Sequence, residues 1–205
     1  MEQIYEIQRV TDTFSWDKIP VLNMEHAYLS TPESVTAFGQ ICASEKALFV
    51  HLWVKQVQIR AEEYGLEGLP YKDSCLEFFF CPEEENPEYF NFEFNLNKCL
   101  YLGIGKDLAT RQRILLENVE EIFKPVTKRT QDGWEIYYQI PYAFIYEYFP
   151  MFSVYEGKII RGNCYSCSDL SNVPYYRSWR HVSEKMFTFH CPECFGRMKI
   201  MGAIV

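Results

Sequence analysis

Residues 89–97 read Tyr89-Phe90-Asn91-Phe92-Glu93-Phe94-Asn95-Leu96-Asn97, alternating apolar and polar positions without a slip. Successive side chains on a strand point to opposite faces, so Phe90, Phe92, Phe94 and Leu96 share one side and the Asn and Glu residues share the other. The same period of two runs through Leu48, Val50, Leu52 and Val54, through Leu76, Phe78 and Phe80, and through Trp134, Ile136, Tyr138 and Ile140. Residues 159–167 and 197–201 read as further strands. The run Glu83-Glu84-Glu85-Asn86-Pro87 is a turn signal, so 75–81 and 89–97 are expected to pair as a hairpin with a longer loop. Asp132-Gly133 marks another turn. A short aromatic helix is expected between Pro141 and Pro150, and residues 106–122 read equally well as a second helix or as a loop. Many strands and few helices predict a mostly β chain, an antiparallel two-sheet β-sandwich of jelly-roll type with one or two short helices. With no repeat, low-complexity tract or flexible linker, residues 1–205 are expected to form one domain.

The polar face of the 89–97 strand carries the first chemical signal. Asn is a poor strand residue, and an ordinary wet face is better served by Thr or Lys. Amides both donate and accept, so amides and a carboxylate on a stiff platform suit a neutral polyhydroxyl ligand. Glu77 alternates out of its own row of Leu76, Phe78 and Phe80, so hairpin pairing is expected to put Glu77 and Glu93 on one side. Arg111 and Arg113 follow the platform strand and can donate to hydroxyls or carboxylates.

Composition sharpens this picture. Hydrophobic residues make up 48% and aromatics 17%, with 16 Phe and 15 Tyr, which fits a β-rich chain or an aromatic-lined site. A net charge of −8 argues against a nucleic-acid partner. The N-terminus has no basic segment followed by an apolar run, and nowhere do ~18 apolar residues follow one another, so neither a secretory signal nor a membrane span is expected. On that reading the protein is cytoplasmic and its eight cysteines are reduced thiols.

Asp73-Ser74-Cys75-Leu76-Glu77-Phe78-Phe79-Phe80, followed by the 89–95 strand, resembles the central strands of the family 9 carbohydrate-binding modules, and most closely their stand-alone, family 9-like relatives. Gly133-Trp134-Glu135, Ile140-Pro141, Arg161-Gly162-Asn163, Ser178-Trp179 and Phe189-His190 through Phe195-Gly196 follow in matching order, over roughly residues 45–200. The resemblance implies a sugar-binding β-sandwich, related to DOMON-like domains that hold haem or other small ligands. It implies an aromatic sandwich around a terminal sugar, with Trp179 as one wall and Tyr71, where a Trp is expected, as the other. Glu77 falls on the motif's acidic position, and Asn91 and Glu93 on positions of polar contact with altered side-chain types. Together with Asn95 and Arg111, these are the candidate ligand-binding residues. The function implied is non-catalytic binding of a mono- or oligosaccharide end. Some relatives hold calcium.

Other chemistries compete. Two carboxylates on adjacent strands invite a glycosidase, which needs a pair ~5 Å or ~6.5–9.5 Å apart, but an acid must flank each side of the bond and two side chains from one flat face sit on one side. Cys164-Tyr165-Ser166-Cys167 and Cys191-Pro192-Glu193-Cys194 are two C-x-x-C pairs, the pattern of a zinc-stabilised interaction module. Residues 168–190 lie between the pairs, where zinc sites commonly have ~15–20 residues. Against zinc, Cys164 and Cys167 point to opposite faces if 159–167 is a strand. Met186 with His181 or His190 offers axial ligands to a haem. His51 reads as a satisfied core or site-edge histidine, and His190 as a loop-ordering one.

Overall fold

The computed structural model describes residues 4–11, 13–56, 58–183 and 187–204. Met186, the haem candidate, lies outside them. Among the described residues, fourteen strands run in chain order: β1 (Tyr5–Arg9), β2 (Leu22–Asn23), β3 (His26–Tyr28), β4 (Thr36–Ala43), β5 (Ala47–Lys55), β6 (Cys75–Cys81), β7 (Tyr89–Asn95), β8 (Leu100–Gly105), β9 (Gln112–Arg113), β10 (Val126–Arg129), β11 (Gly133–Pro141), β12 (Ile159–Ser168), β13 (Tyr175–Ser178) and β14 (Gly196–Ile204). Two short helices, α1 (Val119–Phe123) and α2 (Tyr142–Tyr148), complete the set. All strands join one sheet in the order β10-β11-β5-β4-β1-β14-β12-β6-β7-β8-β9, with β2 on β4, β13 on β12 and β3 on β13.

That sheet curls until its two wings face each other as the layers of a β-sandwich. Across the gap, the Phe92 and Phe94 rings of β7 lie 6.0 and 5.0 Å from Tyr138 of β11. The alternating rows meet there: Leu76, Phe78, Phe80, Phe90, Phe92 and Phe94 from one wing pack against Leu48, Val50, Leu52, Val54, Trp134 and Ile136 from the other. The expected hairpin forms, with Glu77 of β6 directly opposite Glu93 of β7. The helix expected after Pro141 is α2, which plugs the core with Phe144, 5.4 Å from Phe90. It stops at Phe149, since the residue before Pro150 is biased away from helix.

One feature differs from the expectation. The sheet is mixed, because β1 lies parallel to both β14 and β4 and closes the seam between the wings. Its five residues are too few for periodicity to announce, and parallel pairing leaves no turn signature. Residues 106–122 are mostly loop, relieved by β9 and the start of α1.

Phe92 is fully buried, and its ring meets Phe123, Tyr138 and Phe144. Phe92→Ala should lower unfolding free energy by ~3–5 kcal/mol, read as a fall in urea midpoint. Leu29→Ala, at a 63% exposed position, should stay within ~0.5 kcal/mol. Equal effects of the two substitutions would refute the core assignment.

Candidate functional site

Strand pairing lays out the outer face of the β12-β6-β7-β8 wing as a grid. One row runs Tyr165, Glu77, Glu93, Tyr101; on one side of it lie Cys167, Cys75 and Asn95, and on the other Asn163, Phe79, Asn91 and Gly103. This face is not the open, solvated platform its polarity suggests. Phe189 stacks on Tyr165 at 4.1 Å, and Tyr165 Oη donates to the Phe189 carbonyl. Phe79, Tyr89 and His190 stack beside them. The covered face opens at one cleft of about 280 Å³, with Glu77 and Glu93 on its floor and Tyr71, Arg111, Asp169 and Tyr176 on its walls. A hollow of about 350 Å³ between Leu66, Lys98 and Leu116 gathers no comparable set of buried charges.

Local structure explains each position. Tyr71 sits on a one-turn 3-10 helix, Pro70–Lys72, whose Tyr71 and Lys72 carbonyls accept from Asp169 and Leu170 N–H at 3.0 Å. Tyr176 is paired with Cys167, shares its face, and donates its hydroxyl to Asp169 Oδ1 at 3.0 Å. The turn at 71 and the segment 169–176 are thus tied directly to each other, and both line the cleft.

Both floor carboxyls are 2% exposed. Burial pushes the Glu77 carboxyl well above the usual carboxylate range, and the neighbouring Glu93 charge pushes it further, while the Cys167 thiol, donating at 3.0 Å, opposes both. Burial also raises Glu93, restrained by Arg111 at 3.5 Å and by the Asn91 amide, which donates at 2.7 Å. Two like charges this close in a dry site do not both ionise at neutral pH, so the pair holds a proton. Arg111 also lies over the Tyr101 ring at 4.6 Å and donates to His190 Nε2. A guanidinium only donates, so Nε2 is the bare nitrogen and Nδ1–H faces the Tyr89 hydroxyl 2.8 Å away. Burial, then Arg111, pushes His190 down to about 3, so the ring is neutral.

Of the seven candidate residues, Tyr71, Glu77, Glu93 and Arg111 line the cleft together. The other three stand elsewhere. Asn91 lies behind Glu93 and orients it. Asn95 is fully buried: its amide donates to Asp73 and to the Glu63 carbonyl, and its oxygen accepts from Asn97 and Cys99 N–H. No hydrogen-bonding capacity is left on it for a ligand. Trp179 lies just past the end of β13, and its ring packs 6.1 Å from Tyr5 and lines a separate hollow with Tyr5, His26 and Arg180. Tyr176, three positions earlier on β13, holds the wall expected of Trp179. Asp169, Tyr176, Phe187, Phe189 and His190 were not read as cleft residues from the sequence. Arg113 is structural, donating to the carbonyls of Leu66, Glu67 and Gly68. His51 is satisfied by Gln40 and Glu135 on the far wing.

The four-cysteine zinc set does not assemble. Cys164 packs in the interior and Cys167 in the outer cluster, as strand geometry requires. Cys191 and Cys194 form a disulfide, contrary to the expectation of eight free thiols, because a 3-10 turn at Pro192–Cys194 brings their Cα atoms to 5.4 Å. Among the described residues, the one group of three His, Cys, Asp or Glu side chains close enough to share an ion is Cys75, Glu77 and Cys167. Calcium takes 6–8 oxygen ligands, which this sulfur-rich set does not supply.

Taken together, the fold and the cleft define a β-sandwich with a small aromatic-walled, acid-floored pocket on one outer face. The chain belongs to carbohydrate-binding family 9, whose model matches residues 6–200. Its fold is similar to that of a Bacteroides uniformis ATCC 8492 protein named for carbohydrate binding, at 23% identity and a TM-score of 0.82 over 98% of this chain and 100% of that one. It is also similar to a family 9 module from Caldicellulosiruptor kristjanssonii solved with glucose, at 13% identity, a TM-score of 0.66 and coverage of 97% and 96%. The cellotriose complex of a family 9 module from that organism matches at 14% identity and a TM-score of 0.64, covering 97% and 94%. No curated protein matches the chain.

The raised carboxyls bind more protons in the folded than in the unfolded chain. The stability they contribute is fully present below the unfolded value, 4.5, and is lost as pH rises through their folded values. In urea titrations from about pH 4.5 to about pH 8, the wild type should lose stability relative to Glu77→Gln as pH rises. Parallel profiles would mean that the pair is not protonated by burial.

Proposed function

We propose that this protein binds one sugar ring, a monosaccharide or the end of an oligosaccharide, in the Tyr71–Tyr176 cleft and performs no chemistry on it. The observation that carries the reading is the convergence of Glu77, Glu93 and Arg111 with two tyrosines, Tyr71 and Tyr176, in the lining of one cleft. A sugar ring has C–H faces for aromatic rings to cover and a rim of hydroxyls for charged groups to meet. The floor carboxyls have already lost their water, so hydroxyls that replace it restore hydrogen bonds at little further cost. The proton held by the pair lets the floor donate as well as accept. Arg111 adds a fixed donor. The cleft's 280 Å³ lies at the small end of ligand pockets, ~300–1,000 Å³, the scale of one ring rather than a chain. The family membership and the glucose and cellotriose complexes of the similar modules support the same ligand class.

Hydrolysis fits the geometry less well. Glu77 and Glu93 rise as direct cross-strand neighbours from one face, so they reach a sugar from one side, whereas a glycosidase places its two carboxyls on either side of the bond.

Calorimetry across neutral mono- and disaccharides should find at least one ligand. Tyr71→Ala and Tyr176→Ala should each weaken it about tenfold or more, a loss of ~1.4 kcal/mol, while Trp179→Phe leaves affinity within about twofold. A silent panel, or binding that depends on Trp179 and ignores both tyrosines, would sink the proposal.

A further inference from the structure

We propose that Cys75, Cys167 and Glu77 form a site for a thiophilic divalent cation of the zinc class, with a fourth coordination position facing the cleft. Cys75 of β6 and Cys167 of β12 stand directly opposite each other, and Glu77, two residues along β6, shares their face. Their sulfur and carboxylate ligand atoms lie within 4.8 Å of one another, and Cys167 Sγ is 3.0 Å from Glu77 Oε1. Tetrahedral zinc, with bonds of ~2.3 Å to sulfur and ~2.0–2.2 Å to oxygen, holds its ligands about 3.4–3.8 Å apart. The widest separation must close by about an ångström and the Cys167–Glu77 pair open by about half an ångström, both within reach of small side-chain rotations.

The bland alternative is that these thiols merely pack as small hydrophobes. Cys42 and Cys164 do so, and burial alone raises their thiols. Cys75, Cys167 and Glu77 differ in converging on each other: Glu77 raises both thiols and Cys75 raises Cys167, while hydrogen bonds from the two thiols hold Glu77 down. Burial disfavours three separate negative charges there, and a dication removes that penalty by replacing protons, which leave to solvent. Two thiolates and one carboxylate select zinc or cadmium over calcium and magnesium. Three protein ligands with one open position is the pattern of accessible rather than closed zinc sites. The way in is the cleft, whose lining includes Glu77 and Cys167. This inference does not depend on which ligand fills the cleft.

The test is titration of the full chain, its Cys191–Cys194 disulfide intact, with cobalt(II) and then zinc(II). Wild type should take up about one cobalt per chain, with thiolate-to-cobalt charge-transfer absorption that zinc abolishes. Cys75→Ser and Cys167→Ser should each lose that absorption, and a Cys191→Ser/Cys194→Ser double variant should keep it. Glu77→Gln should weaken cobalt by more than the ~10–100-fold that losing an outer-shell partner costs. A wild-type chain without the charge-transfer band overturns the proposal whatever the variants do. So does a band that survives loss of Cys75 and Cys167 together, or that follows Cys191 and Cys194.

Discussion

Two carboxyl groups face each other across adjacent central strands under a cover of aromatic rings, and keeping them there is the constraint around which this wing is built. Each buried charge without partners costs several kcal/mol, so the surroundings must donate, neutralise or do both. The Cys167 thiol and the Asn91 amide donate, Arg111 supplies charge, and a retained proton removes one of the two negatives. Arg111 is in turn aimed by the Tyr101 ring and by a neutral His190. The polar character of the 89–97 strand is the visible trace of this arrangement.

The opposite side of the same strands explains why the site is stiff. Phe78, Phe80, Phe90, Phe92 and Phe94 lock β6 and β7 into the interior, so the carboxyls projecting outward inherit backbone positions fixed by dense packing. The flanking walls come from less regular chain but are pinned to it. Asp73, fully buried, accepts from Arg60, Asn95 and the Glu62 and Glu63 N–H groups, anchoring the end of the turn that carries Tyr71.

Alternation made the strands, the hairpin and the juxtaposition of Glu77 with Glu93 legible in the sequence, because the period of two is a local property of backbone geometry. What it could not show is what lies on top of a face. Asn91 and Asn95 have the right chemistry and orientation for a ligand, yet protein groups reach them first: Glu93 in one case, Asp73 and the turn at 97–99 in the other. Trp179 failed for a different reason. Matching it by motif ignored the end of β13: the chain bends after Ser178, and the Trp179 ring turns toward Tyr5 rather than the cleft. The covering rings of Phe187 and Phe189 come from a segment without periodicity, so nothing local announced them. Cys75 escaped notice as a partner of Cys167 because cross-strand neighbours are distant in sequence, whereas C-x-x-C pairs catch the eye and on a strand point apart.

The charge balance of the cleft restricts what it accepts. Glu77, Glu93 and Asp169 meet the guanidinium of Arg111, and the charge of Arg113, over the same Tyr101 ring, also acts on Glu93, while His190 is held neutral. With a proton on the Glu pair, the two remaining negative charges meet two guanidiniums, so an added charge of either sign upsets the balance of a small, poorly hydrated space where Coulomb terms are strong. Neutral hydroxylated rings leave that balance intact, and each hydroxyl finds a group that accepts or donates. A ligand lacking those hydroxyls leaves buried carboxyls unpaired, and that penalty, more than any attraction, is what makes such a pocket selective.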